Sequence, residues 1–395
     1  MAKMNQIYQI LNEAQSQAWG KEAVSVVDTK TMIALGDHII NSADSGSKDL
    51  WTGALTDVIG KTIFVSRALT GQDLGISRDQ VEWGAVLRKV RVKPKGVEEN
   101  QEYQLSASED NSYIFDVTTP EVLEQLYSKH TTYKSQITIT DKQLFTAFQS
   151  DADMMAFYSL LFKQLEDSMY RAKMTFDRLA VANFIAEKFK LQGTQPTKTH
   201  AINLIAAYKE ETGETILAKD IWTNKEFLRF FASKVLEYKK FMNADTDVFN
   251  SSDGYLSQTP DSYMNFYVHS LIDSRLSTYL YADTYHKEMV KVDNYKPVEF
   301  WQGIKGAVGN AFDPTNTSKI NIKPASGGDA IEKTGILAVM VDKDAIVSTY
   351  QRDGAESWRI PLKGTNHART MTHMMINDLL ENGLVFYVED LPEEG

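Results

Sequence analysis

Hydrophobic positions recur most regularly between Asp151 and Lys190. There Met154, Tyr158, Leu161, Leu165, Met169, Ala172, Phe176, Leu179 and Asn183 follow one another at steps of three and four. That spacing predicts one uninterrupted amphipathic helix, with Lys163, Glu166, Asp167, Arg171, Lys173 and Asp177 mostly turned away from the stripe. No Gly or Pro interrupts it before Gly193, and Ser150 or Asp151 offers an N-cap. At ~1.5 Å per residue it spans roughly 55 Å, several times a common globular helix. Two readings fit: a spine carrying an extended subunit, or the long core helix of an ordinary α+β enzyme.

Alternation takes over on either side. Thr62, Ile63, Phe64, Val65 and Ser66 read as a strand; a turn region with Gly71, Asp73 and Gly75 follows, and Trp83 to Lys93 reads as a second strand. In the latter, Leu87, Lys89, Arg91 and Lys93 alternate with Val86, Arg88, Val90 and Val92, giving one mostly basic and one mostly apolar face. Two such strands make a long arm with little stability of its own in water. It lies either on a neighbour or in a sheet of its own lobe. As an arm it is dispensable to the monomer, so deleting Gly71 to Gln80 is expected to leave the fold intact.

Further strands are predicted at Ile114–Val117, Gln136–Thr140, Phe266–Leu271, Lys287–Val292, Gly335–Val341 and Leu384–Val388. Helices are predicted at Pro120–Lys129, at Thr199–Thr212 ended by Gly213, and at Ala368–Asn382 with Gly383 past its end. Thr223 with Glu226 reads as a capping box opening a helix whose face holds Leu228, Phe231, Val235, Tyr238 and Met242. Asp342-Lys343-Asp344 reads as a turn, and Asn243 to Ser262 as a polar loop. Residues 1 to about 50 are weakly patterned. Ile7, Ile10, Leu11 and Ala14 suit a short helix and Asn41–Lys48 an exposed loop, so this terminus frays or lies along something else.

Composition narrows the function classes. With 395 residues the chain divides into two or more lobes, with a boundary near Gly193–Thr197. A net charge of −11 disfavours bulk attraction to nucleic acid or anionic membrane. The count of zero cysteines excludes disulfides, thiolate metal sites and cysteine nucleophiles. The start carries no signal-peptide pattern, and apolar runs such as Gly335–Val341 are too short to cross a bilayer, so a soluble protein that stays where it is made is expected. Gly60-Lys61-Thr62 lacks the upstream glycine and the following helix of a phosphate loop. His38, His130, His200, His269, His286, His367 and His373 show no metal spacing and read as surface or half-buried. Acidic clusters such as Glu98-Glu99, Asp151/Asp153 and Asp342/Asp344 read as solvated turns and helix starts. No catalytic, cofactor-binding or metal residue is assigned. The basic face of Arg88, Lys89, Arg91, Lys93 and Lys95 suits an acidic partner surface, including another copy of the chain.

The order of parts, with Ser326-Gly327-Gly328-Asp329-Ala330-Ile331-Glu332 leading into Gly335-Ile336-Leu337-Ala338-Val339-Met340-Val341-Asp342-Lys343-Asp344-Ala345-Ile346, and then Asn382-Gly383-Leu384-Val385-Phe386-Tyr387-Val388, resembles the major capsid protein of tailed bacteriophages. The resemblance is to coat proteins of small short-tailed phages, and it implies an α+β, Hong Kong 97-type fold. It implies an N-terminal arm at 1–50, an extended two-stranded β-loop at 51–112, and a peripheral domain at 113–195 around the spine helix 151–190. An axial domain at 196–344 and a return to the peripheral domain at 345–395 complete it. Within the loop, the residues expected at contacts between copies are Phe64, Val65, Trp83, Arg88, Val90, Arg91 and Val92. The implied function is self-assembly through pentamers and hexamers into an icosahedral head enclosing double-stranded DNA, after synthesis in the host bacterial cytoplasm. Scaffolding, portal and cement proteins are implied as further partners, packaged DNA as a weak non-specific one, and no membrane. The alternatives are another phage structural component, portal or tail, or an enzyme whose active site no single sequence displays.

Overall fold

The computed structural model describes residues 2–20, 24–41, 50, 51, 54, 74–78, 87–93, 95–97, 117, 119–140, 151–279, 295–303, 317–361 and 364–392. In chain order the elements begin with helices α1 (Ala2–Trp19) and α2 (Thr29–Asn41). Strands β1 (Ser77–Arg78), β2 (Leu87–Val92), β3 (Val122–Tyr127) and β4 (Thr131–Thr140) follow, then helix α3 (Asp151–Thr194). Next come β5 (Ala201–Asn203), α4 (Leu204–Thr212), α5 (Lys225–Met242), β6 (Met264–His269), α6 (Ser270–Tyr279) and β7 (Tyr295–Val298). The chain closes with β8 (Ile320–Ile322), β9 (Ile331–Lys333), β10 (Ile336–Asp342), β11 (Ile346–Ile360), β12 (Gly364–Asn377) and β13 (Gly383–Tyr387). The chain divides into two compact units: Met1–Asp73, Thr131–Met174 and Tyr350–His373 form one, and Leu74–His130, Thr175–Thr349 and Met374–Gly395 the other.

The second unit is built on a five-stranded sheet in the order β5-β13-β10-β6-β7. The central strand β10 runs antiparallel to β13 and β6, and every one of its residues is buried. Side chains alternate across a strand. Ala338 and Met340 therefore join Phe266, Val268, Leu384 and Phe386 against helices α4, α5 and α6, through Leu204, Phe227, Phe231 and Ile272. Val339 and Val341 point the other way, with Tyr267 and Val385, onto Val181, Phe184 and Ile185 of α3. Covering on both faces is why this strand is continuously apolar rather than alternating.

Helix α3 is 44 residues long, about 65 Å at 1.5 Å per residue. The amphipathic stripe holds at Leu165 and Met169 but fails further on: Leu179 is exposed, whereas Asp177 is buried, as is every residue from 180 to 188. The reason is enclosure on all sides, and charged groups buried with it find partners on neighbouring segments. Arg178 pairs with Glu299 at 2.5 Å, and Glu187 accepts from Ser326 N and Oγ at 2.7 Å each. Side chains of residues 151–162, including Met154, Tyr158 and Leu161, lie outside the described residues.

In the first unit, β4 and β12 pair antiparallel from Gly364↔Thr140 to His373↔Thr131. Arg369 of β12 reaches Glu166 of α3 at 3.7 Å, and Lys134 of β4 lies 3.9 Å over the Trp358 ring. Helices α1 and α2 are joined through side-chain amides. Asn12 and Gln15 each donate to and accept from the backbone of 24–26, at Val26 and Val24 respectively, and Asp28 accepts from Thr31 N at the start of α2. Leu11, Ala14, Met32, Leu35 and Ile39 are buried within the chain. The described part of the arm is thus covered within its own chain at these positions.

Four more expectations are corrected. Pro120–Lys129 is no helix but carries β3, paired with β2 from Leu87↔Tyr127 to Val92↔Val122. Leu123, Leu126 and Tyr127 satisfy a helical spacing, and the partner strand overrides it. The described mate of β2 is this strand; Thr62–Ser66, expected beside it, lies outside the described residues. Ala368–Asn382 holds the end of β12 and a turn: Ala368, Met371 and Met375 mimic a helix period, but the strand is paired with β4 from Gly364 to His373. The cap of α5 is Asn224, whose side chain accepts from Phe227 N at 3.0 Å, one residue later than the Thr223 box. Finally, Gly71–Gln80 contains core: Leu74 and Ile76 are buried, Tyr267 donates to Leu74 O at 2.9 Å and Ser348 N to Ile76 O at 2.9 Å, so the deletion would damage the fold. Lys287–Val292, Ile114–Asp116 and Gly60-Lys61-Thr62 lie outside the described residues.

Candidate functional site

Among the described residues, strands β2 and β3 form a two-stranded sheet of their own, with no other strand paired to it. A ribbon of this kind exposes both faces unless something covers one. Its two faces differ as the alternation demands. On one, Arg88, Val90 and Val92 stand beside Val122, Glu124 and Leu126, all exposed. Val90 is 49%, Val92 58%, Val122 54% and Leu126 61% accessible, so an apolar strip faces outward along the ribbon's length. Arg88 and Glu124 form a bidentate pair on that strip, at 2.7 Å and 2.9 Å.

The opposite face carries Lys89 and Arg91, and it is held down. Lys89 Nζ lies 2.5 Å from Asp378 Oδ2 and 2.7 Å from Glu381 Oε1. Arg91 Nη2 lies 3.0 Å from Asp378 Oδ2 and also bonds Glu381 Oε1. The acidic partner expected for the basic face is thus the turn after β12 of the same chain. Asp378 has no exposed side-chain surface; its other oxygen accepts from Leu380 N at 3.0 Å. Tyr127 of β3 stands beside this group, and burial, reinforced by the Asp378 charge, raises its hydroxyl's pKa well above the ordinary tyrosine value.

Of the residues expected at inter-subunit contacts, Arg88, Val90 and Val92 share the outward face, while Arg91 lies on the anchored one. Phe64, Val65 and Trp83 lie outside the described residues. Val122, Glu124 and Leu126 are hidden from sequence reasoning because Val122-Leu123 and Leu126-Tyr127 flank Glu124-Gln125 in apolar and polar pairs, which fit a helical spacing and show no alternation; only exposure alternates along the strand. The histidines also differ from expectation. His200, His269, His367 and His373 are buried, and burial lowers their pKa values, His200 to about 3 and His367 and His373 to about 4. His38 and His130 are exposed, and His286 lies outside the described residues. Among the described residues no group of three or more His, Cys, Asp or Glu is placed to hold a metal ion. No described helix is long and apolar enough to cross a membrane.

The family model of the Phi29-like phage major capsid protein matches residues 8–387. The chain belongs to that family. Its structural role is that of a major capsid protein, a component of the virion built from copies of itself. The alternative readings are not favoured. No curated protein matches this capsid protein in sequence. Among solved structures, a chain of the capsid structure of Staphylococcus phage Andhra is similar with a TM-score of 0.53 at 13% identity, over 80% of this chain and 83% of that one. A chain from the structure of the head fiber and inner core protein gp22 of native bacteriophage P68 is similar with a TM-score of 0.52 at 13% identity, over 82% and 88%. The fold of this capsid protein is the Hong Kong 97-type fold.

Proposed function

We propose that copies of this capsid protein assemble through pentamers and hexamers into an icosahedral head around double-stranded DNA, and that the outward face of the β2–β3 ribbon seats on a neighbouring copy. One observation supports the ribbon's part: Val90, Val92, Val122 and Leu126 lie exposed on one face while the other is tied to the same chain. Covering each of these side chains contributes at most about 1.5–3 kcal/mol before association costs, and the contact repeats at every copy of a shell. A heterologous contact of this kind closes into rings. On this reading 1–50 is the arm; the extended loop, expected at 51–112, carries the ribbon and so reaches β3, while 74–78 belongs to the body; the remainder of 113–195 with 345–395 is the peripheral domain and 196–344 the axial one. The role is structural and not enzymatic, with synthesis in the host cytoplasm. The net charge of −11 lets packaged DNA touch the shell weakly and without sequence preference. Scaffolding, portal and cement proteins complete the partners.

The test is the double variant Val90→Glu/Leu126→Glu. Both side chains are exposed in the single chain, so its melting temperature is expected to stay within ~2 °C of the parent. The yield of closed particles in negative-stain microscopy is expected to fall at least ~10-fold, because two charges per contact resist burial. Normal particles from this variant would remove the ribbon from the assembly contact.

A further inference from the structure

Asn382-Gly383 is the one Asn-Gly pair in the sequence, and the fold imposes both residues. Gly383 opens β13 against α3: a Cβ there would stand 2.5 Å from Phe184 Cζ and 3.1 Å from Lys188 Cε, so no larger residue fits. Asn382 is fully buried, and its Nδ2 donates to Ser257 O at 2.8 Å and to Thr259 Oγ1 at 3.3 Å, tying the start of β13 to that segment. In a flexible chain the same pair is the one most prone to cyclise, because a glycine nitrogen has no neighbouring side chain to keep it from the asparagine carbon. In the fold both reacting groups are engaged elsewhere. Gly383 N donates to Phe249 O at 3.1 Å, an oxygen that also accepts from Lys188 Nζ at 2.7 Å, and the Asn382 amide is held on Ser257 and Thr259.

We propose that Asn382 is a modification site open only in the unfolded chain, where Gly383 N closes on Asn382 Cγ to a succinimide that water opens to aspartate or isoaspartate, after which the chain no longer regains its fold. The N–Cγ bond forms as the Cγ–Nδ2 bond breaks, the amide nitrogen takes the Gly383 proton and departs as ammonia, and one water molecule splits across the imide. No electrons are transferred. Both products conflict with the site. Aspartate places a carboxylate oxygen where Nδ2 stood, facing the Ser257 carbonyl oxygen, while the Thr259 hydroxyl already gives its one proton to Asp342 Oδ2 at 2.9 Å. The added charge also meets Asp342 and Glu381. Burial, with the Glu381 charge adding to it, already raises the Asp342 carboxyl to about 6, so the site tolerates anions poorly. The cations at hand are committed: Lys89 and Arg91 to Asp378 and Glu381, and Lys188 to Phe249 O. Isoaspartate instead lengthens the main chain by a methylene just before Gly383 and Leu384 pair with Val341 and Met340 of the buried central strand. A capsid chain that stays unfolded is thereby withdrawn from the pool that builds shells.

The test uses the full-length, unassembled protein, held in mildly alkaline buffer with and without urea, with peptide mass spectrometry reading the conversion of the Asn382 amide to acid. The unfolded sample is expected to convert at least ~100-fold faster than the native one, which reacts only through rare openings. After dilution from urea, modified chains should be depleted at least ~10-fold from the refolded fraction relative to the input. Asn382→Ser, with no side-chain amide to cyclise, should refold after the same hold as well as it does without one. Asn382→Asp supplies the charge without the added methylene, and it should melt below the parent at neutral pH. That gap should narrow as pH falls toward the ordinary carboxylate pKa of about 4, since the buried carboxyl keeps its proton to higher pH than the unfolded one. Equal conversion in the native and unfolded samples, or modified chains that refold in proportion to their input, overturns the proposal.

Discussion

Lys188 is the residue whose setting departs furthest from what its type suggests. Its pKa is lowered from the ordinary value of 10.5 to about 7, burial being the first cause. The unfolded chain therefore binds more protons than the folded one between about pH 7 and 10.5, and stability rises with pH through that window. Below it the cost of a buried ammonium is felt in full. Lys188→Met keeps the length and removes the charge, and Phe249 O retains a donor in Gly383 N at 3.1 Å. The variant is expected to melt at least ~2 °C higher at neutral pH, the shift of ~1 kcal/mol in a chain of this size, and to lose the rise in melting temperature toward pH 10. Calorimetry across that range checks both. Nothing in the local sequence separates Lys188 from Lys190, which reaches Ser326 at the surface; only the packing around α3 does.

At the level of elements, legibility tracked how many readings a pattern allowed. The continuous apolar run of β10 and the gap-free periodicity of α3 admit one interpretation each, and both stand where the sequence put them. Strands β3 and β12 fit helical spacing, and their character is settled by partners that are distant in the chain. The segment 74–78 is obscured for a different reason: it is short and lies between stretches of arm-like composition, yet its strand Ser77–Arg78 runs parallel to β11 with Ser77 opposite Ser348. Because Leu74 and Ile76 are 1% exposed, Leu74→Ala and Ile76→Ala should each cost about 2–4 kcal/mol in urea unfolding. A cost below ~0.5 kcal/mol would return the segment to the arm.

On the scale of the whole molecule, the division of labour is between a covered sheet and an uncovered ribbon. The five-stranded sheet has helices on both faces and needs nothing further. The ribbon is a two-stranded sheet with one apolar face turned to solvent, in a chain whose family builds shells from copies of itself. Half of that surface was visible in the alternation of Arg88, Val90 and Val92; the other half, on β3, required knowing which strand lies beside it. Thiol labelling in the cysteine-free chain measures its fate most directly. Single variants Val90→Cys and Leu126→Cys should react at the rate of an exposed thiol in unassembled protein and at least ~10-fold more slowly in closed particles. Equal rates in the two states would mean that the outward face stays open in the shell, contradicting its assignment to a neighbouring copy.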